Sequence, residues 1–316
     1  MVYYLMRLAH WLAGRVPRPV RLAIAGPLTV LVYYAWGAKR RVTIANMAQV
    51  LGTSPSDPRA RKLARDSWRN YGYYLSDLFY LPNATQDEIL GRAQDMAPSP
   101  GSLDLIEEAQ AGGKGVIVTS AHFGAWDVAA VVLASRVPVH GVVESLPDPR
   151  MDLLLQNQRR KFGMEVLHIE KSPRPMLRVL QENGVLAVAV DRPVSPSEGV
   201  PVTFFGRTCY VPGGIAQLAL RTGAAVVPGA CWYDATFSST FYFAAGPIIY
   251  PQSTGDKRAD TIALMQRIYN ALEEFIRPRP EQWAMFRPFW PEDDADTVAR
   301  LEQKAETQPV TSDIEL

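Results

Sequence analysis

Apolar and polar positions along the chain change period several times, and each change predicts an element. Leu63, Trp68, Tyr71, Tyr74, Leu75 and Leu78 recur at helical spacing and place a helix over residues 58–81, with another over 40–51. A helix over 103–110 ends at Gly112-Gly113. Val116-Ile117-Val118-Thr119 follows, a short β-branched run that suits a buried strand. The chain then alternates, with strands over 137–143, 165–169 and 185–190 separated by helices over 150–162 and 173–182. After a long loop come a helix over 214–221, a strand over 224–233, an antiparallel neighbour over 237–245 and a closing helix over 260–276. Strands separated by helices of this length predict an α/β fold: a single domain with a mainly parallel, twisted central sheet flanked by helices. No internal repeat or clear linker interrupts it.

The first 56 residues have a different pattern. Residues 1–14 read as an amphipathic helix, and residues 22–36 are uncharged but broken by Gly26-Pro27. Those fifteen residues fall short of the roughly 20 that a bilayer span requires. No small-residue cleavage site follows a long apolar core, so a signal peptide is not expected. The net charge of +1 hides an asymmetry: before Asp57 there are Arg7, Arg15, Arg18, Arg21, Lys39, Arg40 and Arg41 and no acid. A basic, aromatic-rich segment points to an anionic surface as partner. It predicts one or two interfacial helices, with Tyr33, Tyr34 and Trp36 at headgroup depth and Lys39-Arg40-Arg41 on phosphates. The competing reading is a buried N-terminal helix of a soluble enzyme. The expected organisation is a membrane-attachment extension over 1–56, an α/β domain over 57–290 and an acidic flexible tail over 291–316.

At 316 residues the chain can bury a full-sized core. Its two cysteines, Cys209 and Cys231, lack metal-type spacing and read as free thiols in a reducing compartment. There is no G-x-G-x-x-G after a strand, no GKT or GKS, and no G-x-S-x-G elbow, which argues against the usual nucleotide folds and an ordinary serine hydrolase.

The chemistry is expected where the Val116 strand runs into its loop, because ligands of α/β sheets gather outside the carboxyl ends of strands. His122 lies in that loop and Asp127 in the first turn of the helix after it. Five residues apart, they stand about 140° apart on one regular helix and could meet only across a turn. If they meet, the carboxylate fixes the imidazole tautomer and leaves the other nitrogen to take a proton from a bound hydroxyl. Otherwise His122 is a structural histidine and Asp127 a helix-start charge. Three more strand ends carry polar groups. Glu144 follows the second strand. Arg159-Arg160-Lys161 ends the next helix, where neutralising the dipole is the bland explanation. Asp191-Arg192 ends the strand VLAVAV, where charges need a partner or a ligand. Val211-Pro212-Gly213-Gly214 opens a helix whose N-H groups could approach a phosphate.

With these residues in place, the chain resembles the glycerolipid and lysophospholipid acyltransferase superfamily, and within it the lipid A biosynthesis and phosphatidylinositol mannoside acyltransferases. The carrying motifs are AHFGAWD, VVESLPDPRMDLLLQNQRRKFGMEVL, VAVDRPV, PVTFFG with VPGGIAQLALRTGAAVVPG, and QWAMFRPFWP, in family order over roughly residues 20 to 290. The acid of the first motif is Asp127, where much of this branch has Glu and the wider superfamily has Asp. The resemblance implies O-acyl transfer from an acyl-CoA or acyl carrier protein thioester to a hydroxyl of a glycolipid or lysophospholipid. It makes His122 the general base oriented by Asp127, and Glu144, Arg159, Asp191 and Arg192 substrate-binding residues. It implies no metal and no cofactor beyond the donor, no nucleic acid, and a peripheral or monotopic enzyme on the cytoplasmic face of the cell membrane. The developing oxyanion would need donors, for which N-H groups near Gly124 or the Arg159 side chain could serve. Two alternatives are an N-acyltransferase with an amino-acid or aminolipid acceptor, and a non-enzymatic phosphate- or nucleotide-binding module.

Overall fold

The computed structural model describes residues 2–169, 173–234, 237 and 240–291. Helices α1 (Val2–Ala13), α2 (Arg18–Ala35), α3 (Gly37–Leu51), α4 (Pro58–Tyr80) and α5 (Gln86–Leu90) precede strand β1 (Ala93–Asp95) and α6 (Ser102–Ala111). Then come β2 (Val116–Ser120), α7 (Trp126–Ala134), β3 (Val139–Val143), α8 (Pro149–Lys161), β4 (Met164–His168), α9 (Arg174–Gln181) and β5 (Val185–Ala189). The hairpin β6 (Val200–Phe204) and β7 (Arg207–Val211) leads to α10 (Gly214–Thr222), β8 (Ala225–Tyr233), β9 (Phe241–Ala245) and α11 (Lys257–Ile276).

Seven strands form one sheet in the order β1-β9-β8-β2-β5-β3-β4. The β8 to β9 pairing is antiparallel and the other pairings in this sheet are parallel. Val116, Ile117, Val185 and Leu186 in the central strands are fully buried, because helices cover both faces of the sheet. One apolar cluster joins α4, α6 and α7 to the sheet, and a second joins α9, α10 and α11. The predicted α/β architecture with its antiparallel strand is therefore the observed one.

Three local expectations change. The segment after β5 is not one long loop, since residues 200–211 form a hairpin whose two loop residues, Phe205 and Gly206, both have positive φ (49° and 76°). That is the primed turn whose twist matches the flanking strands, and a phenylalanine at its first position disguises it in sequence. Gly26-Pro27 does not interrupt a helix either: α2 runs through it as 18 residues with Pro27 inside. The glycine has a packing role. A Cβ at Gly26 would lie 2.5 Å from the Tyr73 ring, and one at Gly72 would lie 2.5 Å from the Ala25 carbonyl oxygen, so the pair lets α2 and α4 approach closely. The short elements α5 and β1 carry too few residues to show a period. The expected tail lies outside the described residues from position 292 onward.

Helices α1, α2 and α3 all pack on α4. Arg18 makes a two-pronged pair with Asp77 on α4, and buried Arg21 donates to the Ser76 carbonyl at 2.7 Å. The opposite side of α1 and α2 is apolar and exposed: Leu8, Trp11, Ile24, Leu28 and Leu31 are each at least half exposed, at spacings of three or four residues. Among the described residues no single helix is long and apolar enough to cross a membrane. The pair α2 and α3, bent by 102°, would pass on length and composition together.

Gly72→Ala should lower stability by about 1–3 kcal/mol, the usual cost of overpacking, because backbone rather than a mobile side chain opposes the added carbon. Urea unfolding should show a lower midpoint at unchanged m. An unshifted midpoint would mean that α2 is not held against α4 as described.

Candidate active site

His122 follows β2 in a loop pinned on two sides. Its carbonyl accepts from Ala284 N-H at 2.8 Å, the Gly124 N-H donates to the Gln282 carbonyl at 2.9 Å, and the Ala125 N-H donates to the Cys231 carbonyl at 2.9 Å. Gly124 has φ +58° and lies so close to β8 that a Cβ would stand 2.3 Å from the Cys231 oxygen, so only glycine fits. The loop therefore presents His122 from a rigid base.

The carboxylate against the imidazole is Asp191, not Asp127. His122 Nδ1 lies 2.7 Å from Asp191 Oδ1, the His122 backbone N-H donates to Oδ2 at 2.9 Å, and the Trp283 indole N-H donates to the same oxygen at 2.9 Å. Sheet register produces this contact. Strands β2 and β5 are parallel neighbours with Ser120 opposite Ala189, and the Val190 N-H donates to the Ser120 carbonyl, so the residues two places on, His122 and Asp191, stand side by side. Asp191 is fully buried. Burial alone would raise its carboxyl pKa, but the facing His122, its hydrogen bonds and the Trp283 N-H outweigh that and hold it below the ordinary carboxylate value. The Nδ1 proton donated to this carboxylate leaves Nε2 as the basic atom of a neutral ring.

Asp127 occupies the first turn of α7, as expected, but faces other partners. Tyr74 on α4 donates its hydroxyl to Oδ2 at 2.6 Å, and Arg159 on α8 donates from Nε and Nη2 to Oδ1 at 3.2 and 3.1 Å. The Tyr74 ring stacks on Trp126 at 3.7 Å between centroids, and Trp126 meets the His122 ring edge-on. Burial first, then the Asp127 charge, drives the Tyr74 phenol far above its ordinary pKa, so it stays protonated and donating. Asp127 thus ties α4, α7 and α8 together around the histidine without touching it through a hydrogen bond.

His122, Asp127, Glu144, Arg159 and Arg192 line one cavity of about 670 Å3 that runs between α7 and the sheet. Its floor uses small residues, among them Gly141, Ala187, Ala189, Ser120 and Gly229, and its walls are largely apolar. Glu144 and Arg192 form an ion pair at the cavity, β3 and β5 being neighbours. The geometry offers a histidine base backed by a buried carboxylate, cationic groups beside it, and a long apolar space at its side.

A sequence profile described as bacterial lipid A biosynthesis acyltransferase matches residues 1–292. The chain belongs to this family. It is also 32% identical over 259 residues to a phosphatidylinositol mannoside acyltransferase of Mycobacterium tuberculosis (strain ATCC 25618 / H37Rv), covering 78% of this chain and 75% of that protein. The like-named protein of Mycolicibacterium smegmatis is 32% identical over 259 residues, covering 79% of each chain. A lipid A biosynthesis acyltransferase of Haemophilus influenzae is 24% identical over 182 residues, 57% of this chain and 55% of its own.

The protein is therefore an acyltransferase, and most of the polar residues singled out in its sequence fall together, in altered partnerships. Asp127 is displaced as the acid hydrogen-bonded to His122. Asp191, expected to bind substrate, has no exposed surface and is hydrogen-bonded to His122 and Trp283. Both oxyanion donors considered from sequence are engaged, Gly124 N-H with Gln282 and Arg159 with Asp127 and Gln156. In the Pro-Gly-Gly turn, Gly213 serves close packing, since a Cβ there would lie 2.9 Å from Thr261. Sequence reasoning missed Trp283 and Tyr74 as partners of the two carboxylates. Trp283 stood inside the QWAMFRPFWP motif, and Tyr74 looked like one more aromatic on a packing face. Cys209 and Cys231 are free and buried, and burial raises both thiols, Cys209 to about 12.

Two outcomes follow from the carboxylates. Because the Asp191 pKa is depressed on folding, its stabilising contribution is present above the unfolded value of about 3.9 and is lost as pH falls through the lower folded one. The difference in unfolding free energy between wild type and Asp191→Asn should stay level from about pH 7 to 5 and shrink toward about pH 3. A difference that ignores pH would contradict the assignment. Asp127→Asn leaves the Arg159 charge with a weaker partner in a mostly buried pair, and should cost about 3 kcal/mol in urea unfolding at neutral pH.

Proposed function

We propose that this acyltransferase moves a fatty acyl chain from a thioester donor, acyl-CoA or acylated carrier protein, to a hydroxyl of a membrane glycolipid. The observation that carries this reading is His122, held through Nδ1 by the buried Asp191, with its ring on the wall of the apolar cavity. Nε2 takes the proton of the acceptor hydroxyl as its oxygen attacks the thioester carbonyl carbon. The tetrahedral intermediate then collapses, the carbon-sulfur bond breaks, and the imidazolium returns the proton to the leaving thiolate. Asp191 fixes the tautomer before the step and stabilises the imidazolium during it. A thioester is already activated, so positioning and a general base suffice without a covalent enzyme intermediate. The cavity beneath α7 takes the acyl chain, and the Arg192 guanidinium adds positive charge where the oxyanion develops. The glycolipid acceptor is taken from the named substrates of the mycobacterial relatives and of the family. Membrane attachment through the exposed apolar side of α1 and α2, on the cytoplasmic face of the cell membrane, brings acceptor and product to the site.

His122→Ala should reduce acyl transfer from palmitoyl-CoA to a glycolipid acceptor by about 10²–10⁴-fold while the far-ultraviolet spectrum is unchanged. Turnover near the wild-type rate would remove the base. Asp191→Asn should also lower kcat, since an amide can present its NH2 to Nδ1 and stabilise the wrong tautomer. For attachment, Trp11→Asp combined with Leu28→Asp should release the folded protein from anionic liposomes in cosedimentation, whereas unchanged binding would place the contact elsewhere.

A further inference from the structure

Apart from the His122 centre, the fold brings a second hydroxyl, imidazole and carboxylate into a row. Ser145 Oγ lies 2.9 Å from His168 Nδ1, and the other ring nitrogen, Nε2, lies 3.8 Å from Asp152 Oδ2. Three separate segments supply these groups, so the row exists without a G-x-S-x-G elbow. Strands β3 and β4 are parallel with Val143 opposite His168, and the Ile169 N-H donates to the Val143 carbonyl at 3.0 Å. Ser145, two residues past Val143, therefore stands beside the histidine. Asp148 caps α8 by accepting from the Arg150 N-H at 3.0 Å, which places Asp152 in the first turn. There Asp152 Oδ1 accepts from the Leu146 N-H and the Gln156 side-chain NH2, both at 3.1 Å, and so is fixed to the loop that carries Ser145.

These contacts give the protons a direction. Asp152 is beyond hydrogen-bond reach of Nε2 but within ion-pair range, and a carboxylate there favours the tautomer with its proton on Nε2. Nδ1 is then the acceptor and the Ser145 hydroxyl the donor. This is the polarity of a nucleophile and its base, with the two ring nitrogens exchanged relative to the usual serine triad. The His168 and Asp152 side chains are only 13% and 16% exposed, so the base is sheltered. Ser145 is exposed and lines the largely apolar cavity beside Glu144 and Leu146, with Arg192, the partner of Glu144, at the same cavity. A serine that only fastened β3 to β4 would have no need to face that cavity.

We propose that Ser145, His168 and Asp152 form a second nucleophilic centre, at which Ser145 takes an acyl group covalently from an activated carboxylic ester or thioester with an apolar chain. It goes beyond acyl transfer at His122, which needs no covalent intermediate, and does not depend on it. Ser145 Oγ bonds to the carbonyl carbon as His168 Nδ1 takes the hydroxyl proton. The bond from that carbon to the leaving oxygen or sulfur breaks, and the imidazolium protonates the leaving group. Water then attacks the acyl-serine ester with His168 again as base, which releases the carboxylic acid and restores the serine. The Arg192 guanidinium adds positive charge for the oxyanion of each step.

An alkyl fluorophosphonate, which phosphonylates activated serines, tests the centre on the full chain. Intact mass and peptide mapping should find the label on Ser145. The label should vanish in Ser145→Ala and should persist at the wild-type rate in His122→Ala, which separates this centre from acyl transfer. Labelling should slow by about 10²-fold or more in His168→Ala, or in His168→Gln if the alanine variant does not fold. Asp152→Asn should slow it at an unchanged melting temperature, because the amide can donate to Nε2 and turn the Nδ1 proton toward Ser145, an effect that loss of a fastening contact would not produce. The acyl step is read separately as hydrolysis of p-nitrophenyl octanoate in the His122→Ala background, which should fall by about tenfold or more when Ser145→Ala is added. A wild type that takes no label, a label on another residue, a wild-type labelling rate in the folded His168 variant, or loss of the label in folded His122→Ala would overturn the proposal. Equal ester hydrolysis with and without Ser145 would overturn it as well.

Discussion

The site depends on one buried carboxylate that must be kept charged. Asp191 has no contact with water, and an isolated carboxylate in such a place would protonate or unfold its surroundings. It is tolerated because three donors converge on it, the ring and backbone N-H of His122 and the indole of Trp283. Each donor comes from a segment that is itself fixed: the loop after β2 by Gln282 and Cys231, and the segment after α11 by packing against Phe204 and Phe289. The same arrangement that satisfies the carboxylate holds the imidazole on the cavity wall, so the stability of the core and the orientation of the ring have one origin.

Around this centre, the other charges divide between fastening and display. Asp127 collects Tyr74 and Arg159 and so binds α4, α7 and α8 into the wall of the cavity. A buried pair of this kind contributes little net stability but is costly to break, which favours a defined geometry over a loose one. The cavity itself follows from residue size. Where Gly141, Ala187, Ala189 and Gly229 face α7, no side chain fills the layer between helix and sheet. The N-terminal helices use the opposite device, with Gly26 and Gly72 removing bulk so that α2 can close on α4. That contact turns one side of α2 inward and leaves its apolar stripe outward.

Sequence reasoning reached the fold class, the order of most elements and the loop that carries His122, because β-branched runs, helical spacing and glycine punctuation are local signals. It failed where the signal was short or disguised, as in β1, α5 and the Phe205-Gly206 hairpin. It also singled out polar residues at strand ends that the fold brings to one cavity, but paired them differently from the structure. His122 and Asp127 are near in sequence and Asp191 is 69 residues away from the histidine, so proximity along the chain favoured Asp127 over the carboxylate that the imidazole meets.

Chain order alone determined that His122 follows a central strand, that Asp191 follows another, and that both sit where strands end. Tertiary structure alone decided that β2 and β5 are neighbours, although β3 and β4 lie between them in sequence. Strand adjacency is set by which helices cover which face and by the crossover connections between strands, quantities summed over the whole core and absent from any one segment. Once the two strands are adjacent and in register, the pairing of Ser120 with Ala189 carries His122 and Asp191 to within a hydrogen bond, and the identity of the acid follows from that geometry.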